Sequence, residues 1–193
     1  KIESGAEKAG VGLDGMKIVN EPVDMRSAMQ AVECVSAGNA DIVMKGLINT
    51  GDLLRAVLDK NVGLRTGRVL SHLAVFELNG FDRLIGVTDG GMNIVPTLAQ
   101  KADIIQNAAE VFHKLGVDPV KVAVLAAVET VNADMPGTID AAALAKMTER
   151  GQIKGVVVDG PLALDNAVSE DAARHKGIIS PVAGKADILL VPN

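Results

Sequence analysis

Short apolar runs alternate along this chain with stretches whose apolar positions recur at helical spacing. "MKIVN" at 16–20 predicts a short strand. Residues 24–37, "DMRSAMQAVECVSA", predict a helix, with Asp24 as its N-cap and Gly38 just past its end. "DIVMKG" at 41–46 reads as a buried strand leading into a helix over about 50–60. "RVLSHLAVFEL" at 68–78 and "RLIGVTDGG" at 83–91 read as two strands that can pair through the turn at Asn79-Gly80. A long helix is expected at 97–115, stopped by Gly116. Beyond it come a strand at 121–128, a helix at 138–150, a strand at 153–160, a helix near 166–174 and a last strand in "ADILLVP".

Such alternation implies an α/β fold whose mostly parallel sheet is flanked by helices. The 68–89 region adds an antiparallel pair, so the sheet is expected to be mixed. The best domain boundary is "NVGLRTG" at 61–67. The chain starts at Lys1 in a polar stretch and stops at Asn193 just after an apolar strand, which reads as an interior piece of a longer protein. With 193 residues, 48% of them hydrophobic, it can bury a sizeable core.

Composition narrows the function. A net charge of −5 argues against a nucleic-acid partner, because such affinity rests on Lys and Arg neutralising phosphates. Three Phe and no Trp or Tyr give no stacking platform for single strands. The lone Cys34 excludes a disulfide framework and suits a reducing cytoplasm. It falls in the apolar pattern of its helix and reads as core rather than nucleophile. No apolar run approaches a membrane span, so no membrane partner is expected. The three His are far apart without ligand-like spacing, so no metal is expected.

Four segments carry candidate chemistry. In "ADIVMKGLINTGDLLRAVL", 40–58, the corner between strand and helix holds Lys45, Gly46, Asn49, Thr50, Gly51 and Asp52, with Arg55 one turn into the helix. A helix starting near Thr50 aims free N–H groups and the positive end of its dipole into the loop. The glycines admit close backbone approach, and Lys45 and Arg55 supply charge. The competing reading is a helix capped by Asn49 or Thr50 with Arg55 on the surface. In "VTDGGMNIVPTLAQKADI", 87–104, Asp89 and two glycines end a strand, and Asn93 either caps or touches ligand. "VVVDGPLALDNAV", 156–168, reads as strand, Asp159-Gly160-Pro161 turn and Asp165. Two carboxylates at this spacing can share acid–base work, though a loop-holding and capping role is favoured. In "SPVAGKADILLVPN", Gly184-Lys185 precedes the final strand.

In this order and spacing, the four blocks resemble the phosphate acetyl/butyryl transferase family. "KGLINTGDLLRAVLDKNVGLRTGRVLSHLAVFEL" and "AKMTERGQIKGVVVDGPLALDNAV" are more similar to its butyryl branch. The resemblance implies a two-domain α/β/α sandwich of the isocitrate/isopropylmalate dehydrogenase-like type. Residues 1–66 would be part of a first, incomplete α/β domain and 67–193 an inserted second domain that carries a homodimer contact. It implies transfer of a short acyl chain, butanoyl or branched, between coenzyme A and inorganic phosphate, with coenzyme A as substrate and no cofactor. Arg55 and Thr50 take the catalytic places by resemblance, and Lys45, Gly46, Asn49, Gly51, Ser71 and Asn93 are substrate-binding candidates. The family's Ser-Arg pair and acidic thiol base lie downstream of Asn193, and its first strand–helix segment lies upstream of Lys1. Asp159 is not promoted to the base's role. Two other readings stand beside this one. A same-fold dehydrogenase of the 4-hydroxythreonine-4-phosphate type shares a "DGPL"-like segment but needs histidines held around a metal. A non-catalytic binding domain is the third.

Overall fold

The computed structural model describes residues 2–192; Lys1 and Asn193, the outer ends of the two expected domains, lie outside them. The chain forms two compact units, Lys1–Gly67 and Arg68–Asn193.

The first unit holds three helices, α1 (Ile2–Ala9), α2 (Asp24–Ser36) and α3 (Thr50–Val57). Met25, Ala28, Met29 and Val32 recur along one face of α2 and meet Leu53, Ala56 and Val57 of α3. Cys34 lies off this stripe and is exposed, which corrects its placement in the core. Asp24 is the first helical residue rather than the cap; Val23 holds the cap position without a side-chain bond. The strands expected at 16–20 and 41–46 are not formed. A strand exists by pairing, and neither run has a ladder partner among the described residues. Only Val43 of the second run packs inward, while Ile42 and Met44 are 82% and 92% exposed.

The second unit is a five-stranded mixed sheet with helices on both faces. Its elements are β1 (Ala74–Phe76), β2 (Ile85–Thr88), α4 (Leu98–Lys114), β3 (Val120–Leu125), α5 (Pro136–Glu149), β4 (Val156–Leu162), α6 (Leu164–Val168), α7 (Glu170–His175) and β5 (Ile188–Leu190). The order is β1-β2-β5-β3-β4, with β1 antiparallel to β2 and every other pair parallel. The connections through α4 and α5 step one way along the sheet, and the connection through α6 and α7 steps back. Right-handed crossovers must then cover opposite faces. Ile104, Ala108, Phe112, Ala141 and Leu144 pack on Val122, Val124, Ile188 and Leu190. Ala167, Ala173, Val182 and Ala186 pack on Ala123 and Leu189, which point the other way. No helix of the described residues is long and apolar enough to cross a membrane.

Local rules account for most boundaries. Thr97 and Gln100 form a reciprocal capping box that starts α4. The helix expected at 166–174 is two short ones, because Ser169 is extended and caps α7 through the Ala172 N–H. Asp159-Gly160-Pro161 is not a turn but part of β4. The register slips here, Ala123 facing Asp159 and Leu125 facing Leu162, so three residues of β4 span two of β3. A Cβ on Gly160 would lie 2.7 Å from the Val124 carbonyl oxygen, so only glycine fits the bulge.

Gly86 in β2 has a similar role against α4. A Cβ there would stand 2.8 Å from Cε2 of the fully buried Phe112 and 3.1 Å from Cδ1 of Leu73. Gly86→Ala is expected to destabilise the protein by about 1–3 kcal/mol through overpacking. Urea denaturation checks this: the midpoint falls while the slope is unchanged.

Candidate functional site

The corner between residues 45 and 55 is anchored from below by Ile48 and Leu53, which pack against the α2–α3 core. Lys45, Gly46, Asn49, Thr50 and Gly51 are left outside and exposed. Asn49 is the N-cap of α3, and its Oδ1 accepts from the Gly51 N–H at 2.8 Å. The Asn49 carbonyl takes the Asp52 and Leu53 N–H groups, each at 3.2 Å. The Thr50 N–H and hydroxyl make no bond among the described residues. Lys45 Nζ curls over the loop and donates to the carbonyls of Gly46 and Ile48, both at 3.3 Å. Arg55 is 74% exposed in its side chain and uses Nη1 to meet Asp52 Oδ1 at 2.9 Å. That single contact leaves the rest of its donor fork open. A Cβ on Gly46 would meet nothing within 4 Å, so packing does not demand glycine there.

Ser71 and Asn93 belong to the second unit, where Asn93 is bonded to Leu70, the residue before Ser71. Asn93 Nδ2 donates to the Leu70 carbonyl at 3.0 Å and to Asp89 Oδ2. Asp89, at the carboxyl end of β2, also accepts at Oδ1 from the N–H groups of Gly91 (3.2 Å) and Met92 (3.1 Å). Burial works to raise the pKa of this carboxyl, but the hydrogen bonds from Asn93, Met92 and Gly91 outweigh it and hold it below the ordinary value. Ser71 is half-buried, and its Oγ accepts from Asn107 Nδ2 at 3.0 Å.

The remaining candidates have local partners. Asp159 Oδ1 accepts from the Gly160 N–H at 2.8 Å. Asp165 meets Lys176 at 3.0 Å, and Lys176 also donates to Glu129 at 2.5 Å. Glu129 in turn accepts from the amide of the fully buried Asn166 at 2.7 Å. This bracket joins the loop after β3 to α6 and α7, where the chain turns toward opposite faces of the sheet, the place at which open α/β sheets form crevices. Among the described residues no three His, Cys, Asp or Glu side chains are grouped to hold a metal ion. Sequence reasoning missed this bracket and the ion pair of the buried Lys101 with Asp140 (2.8 Å), which staples α4 to α5. Neither has a local signal, since the partners lie 47 and 39 residues apart.

Residues 6–193 match the phosphate acetyl/butaryl transferase family, and the chain belongs to it. Within the family, the phosphate butyryltransferase of Clostridium acetobutylicum is 56% identical over the whole chain, which spans 64% of that protein's length. The phosphate acetyltransferase of Thermotoga maritima is 54% identical over 163 residues, 84% of this chain and 55% of its own. A crystal structure of a branched-chain phosphotransacylase from Enterococcus faecalis is 38% identical, with a TM-score of 0.83 over 92% of this chain and 63% of its own.

The Lys176 bracket has a pH signature. Hydrogen bonds from Lys176 lower Glu129 and Asp165, and the same bonds raise Lys176. The carboxylates contribute stability above their ordinary values of 4.5 and 3.8, and that share is lost as pH falls through their lowered folded values. The lysine's share is present below 10.5 and lost as pH rises through its raised value. Thermal melts of Lys176→Met should differ from the unsubstituted protein most between these limits, with the difference shrinking on both sides. A difference independent of pH would assign the effect to packing.

Proposed function

We propose that this chain is part of an enzyme that moves a short acyl group, butanoyl or branched-chain, between coenzyme A and inorganic phosphate. Family membership over residues 6–193 supports this reading. So do the relatives named as phosphate butyryltransferase and branched-chain phosphotransacylase. The observation that carries it is the exposed corner at Lys45–Arg55, where an arginine fork with one engaged nitrogen stands over the first turn of α3.

The chemistry asks for what this corner offers. A coenzyme A thiolate attacks the carbonyl carbon of an acyl phosphate; the new C–S bond forms, the C–O bond to phosphate breaks, and phosphate leaves as an anion. The reverse runs from thioester and phosphate. Charge accumulates on phosphate oxygens and on the carbonyl oxygen, so fixed positive charge and N–H donors lower the barrier. In our reading Arg55 grips the phosphate, the Thr50 N–H and hydroxyl donate to it, and Lys45 adds charge. Asn49 shapes the turn by capping it, and Gly46 and Gly51 leave the backbone open to approach. Asn93 holds the loop after β2, and within its own unit it and Ser71 are read as substrate-binding candidates. We also read residues 67–193 as an inserted domain that carries a homodimer contact. Its edge strand β1, with Val75 and Phe76 exposed, supports that.

A coupled assay on the full-length protein, with butanoyl-CoA and phosphate and detection of free thiol, tests the activity. Arg55→Ala should leave the fold intact by circular dichroism. A charge-assisted contact of about 1.5–3 kcal/mol predicts a loss of roughly ten- to a hundredfold in kcat/KM. Arg55→Lys should recover only part of this, because a point charge cannot make the two-pronged contact. Unchanged kinetics in a folded Arg55→Ala protein would remove Arg55 from the site.

A further inference from the structure

Residues 68–72 enter the second unit without regular secondary structure, and the sheet ladder begins only at Ala74. Side chains take the place of a neighbouring strand. Asp103, Asn107 and Glu110 recur at helical spacing along α4 and form one stripe. Asp103 Oδ2 accepts from the Val69 N–H at 3.2 Å, and Glu110 takes both Nη groups of Arg68 at 2.8 Å. From the other side, Asn93 donates to the Leu70 carbonyl and Thr88 Oγ1 to the His72 carbonyl at 2.6 Å.

Asn107 is the member of this stripe that reaches a candidate substrate contact. Its Nδ2 donates to the Val69 carbonyl at 2.8 Å and to Ser71 Oγ at 3.0 Å. A carbonyl can only accept, so Val69 fixes which end of the amide faces the segment. The second N–H then occupies a lone pair of the Ser71 hydroxyl, and the hydroxyl hydrogen must point elsewhere. No acceptor among the described residues takes it, and Ser71 is only half-buried.

We propose that Asn107 is a positioning residue that turns the Ser71 hydroxyl hydrogen away from α4, to donate to an anionic phosphate oxygen of the bound substrate. This rests on the reading of Ser71 as a substrate-binding residue of the transferase. Inorganic or acyl phosphate and the phosphates of coenzyme A share this chemistry, and kinetics separate them.

The test is a double-mutant cycle in the full-length protein with Ser71→Ala, Asn107→Ala and both together, KM being measured for phosphate and for butanoyl-CoA. Ser71→Ala should lower kcat/KM by about tenfold or more. Asn107→Ala should lower it in the presence of Ser71 and have little further effect in its absence. Its melting temperature should fall by a similar amount in both backgrounds, since the Val69 bond is lost in each. The substrate whose KM rises identifies the phosphate. Asn107→Asp, which turns an acceptor toward the hydroxyl, should match Ser71→Ala in kinetics. The proposal is overturned if Ser71→Ala is kinetically silent, or if Asn107→Ala costs the same factor with and without Ser71. If the unsubstituted protein binds coenzyme A or phosphate but does not transfer acyl groups, the transferase reading alone fails, and the same cycle is read in calorimetric affinities. Binding of neither ligand overturns both.

Discussion

Asp187 ties three strands together at one point. Its N–H donates to the Lys121 carbonyl at 2.8 Å, its carboxylate accepts from the Lys121 N–H at 2.8 Å, and its carbonyl accepts from the Gly86 N–H at 2.7 Å. It therefore seats β5, the last strand in sequence, between β2 and β3. Ile188, Leu189 and Leu190 are all buried there, alternating between the two helical layers. A three-residue strand has little pairing of its own, and a residue that fixes both neighbours at its start sets its register. Without β5 in that gap, β2 and β3 have no ladder between them and the parallel sheet does not close.

The consequence reaches the edge where the strands end. With β2, β5, β3 and β4 parallel, their carboxyl ends share one edge of the sheet, where open α/β folds place their sites. Asp89 and Asn93 stand at the end of β2, Glu129 beyond β3, and Asp165 and Asn166 beyond β4. Most of these polar groups hold one another. Asp89 is saturated by donors, and Lys176 is shared by two carboxylates. In this unit the Ser71 hydroxyl accepts from Asn107, and no described acceptor takes its hydrogen.

The elements that complete themselves within the chain were legible from pattern alone. The 97–115 helix and the Gly80 turn fall where periodicity puts them, and the strand expected at 121–128 forms over Val120–Leu125, because each carries its own cap, apolar stripe or positive-φ glycine. The two strands of the first unit were not, since Ile18 and Ile42 have strand chemistry but no described ladder to join. The bulge at Gly160 looked like a turn because Asp-Gly-Pro is turn composition, and only its pairing with β3 shows that it stays in the sheet. The N-cap at Asn49 was readable because the residues of that corner are neighbours in sequence. Asn107, 36 residues from Ser71, was not, since one polar residue on an amphipathic helix reads as solvated until its partner is placed.

The central claim is that acyl groups pass between a thioester and phosphate. Phosphorus NMR of the full-length protein with butanoyl-CoA and inorganic phosphate tests it most directly. The account predicts an acyl phosphate resonance that grows as the inorganic phosphate resonance declines, in step with released thiol. Thiol release with the inorganic phosphate signal unchanged would show thioester hydrolysis instead and contradict the account.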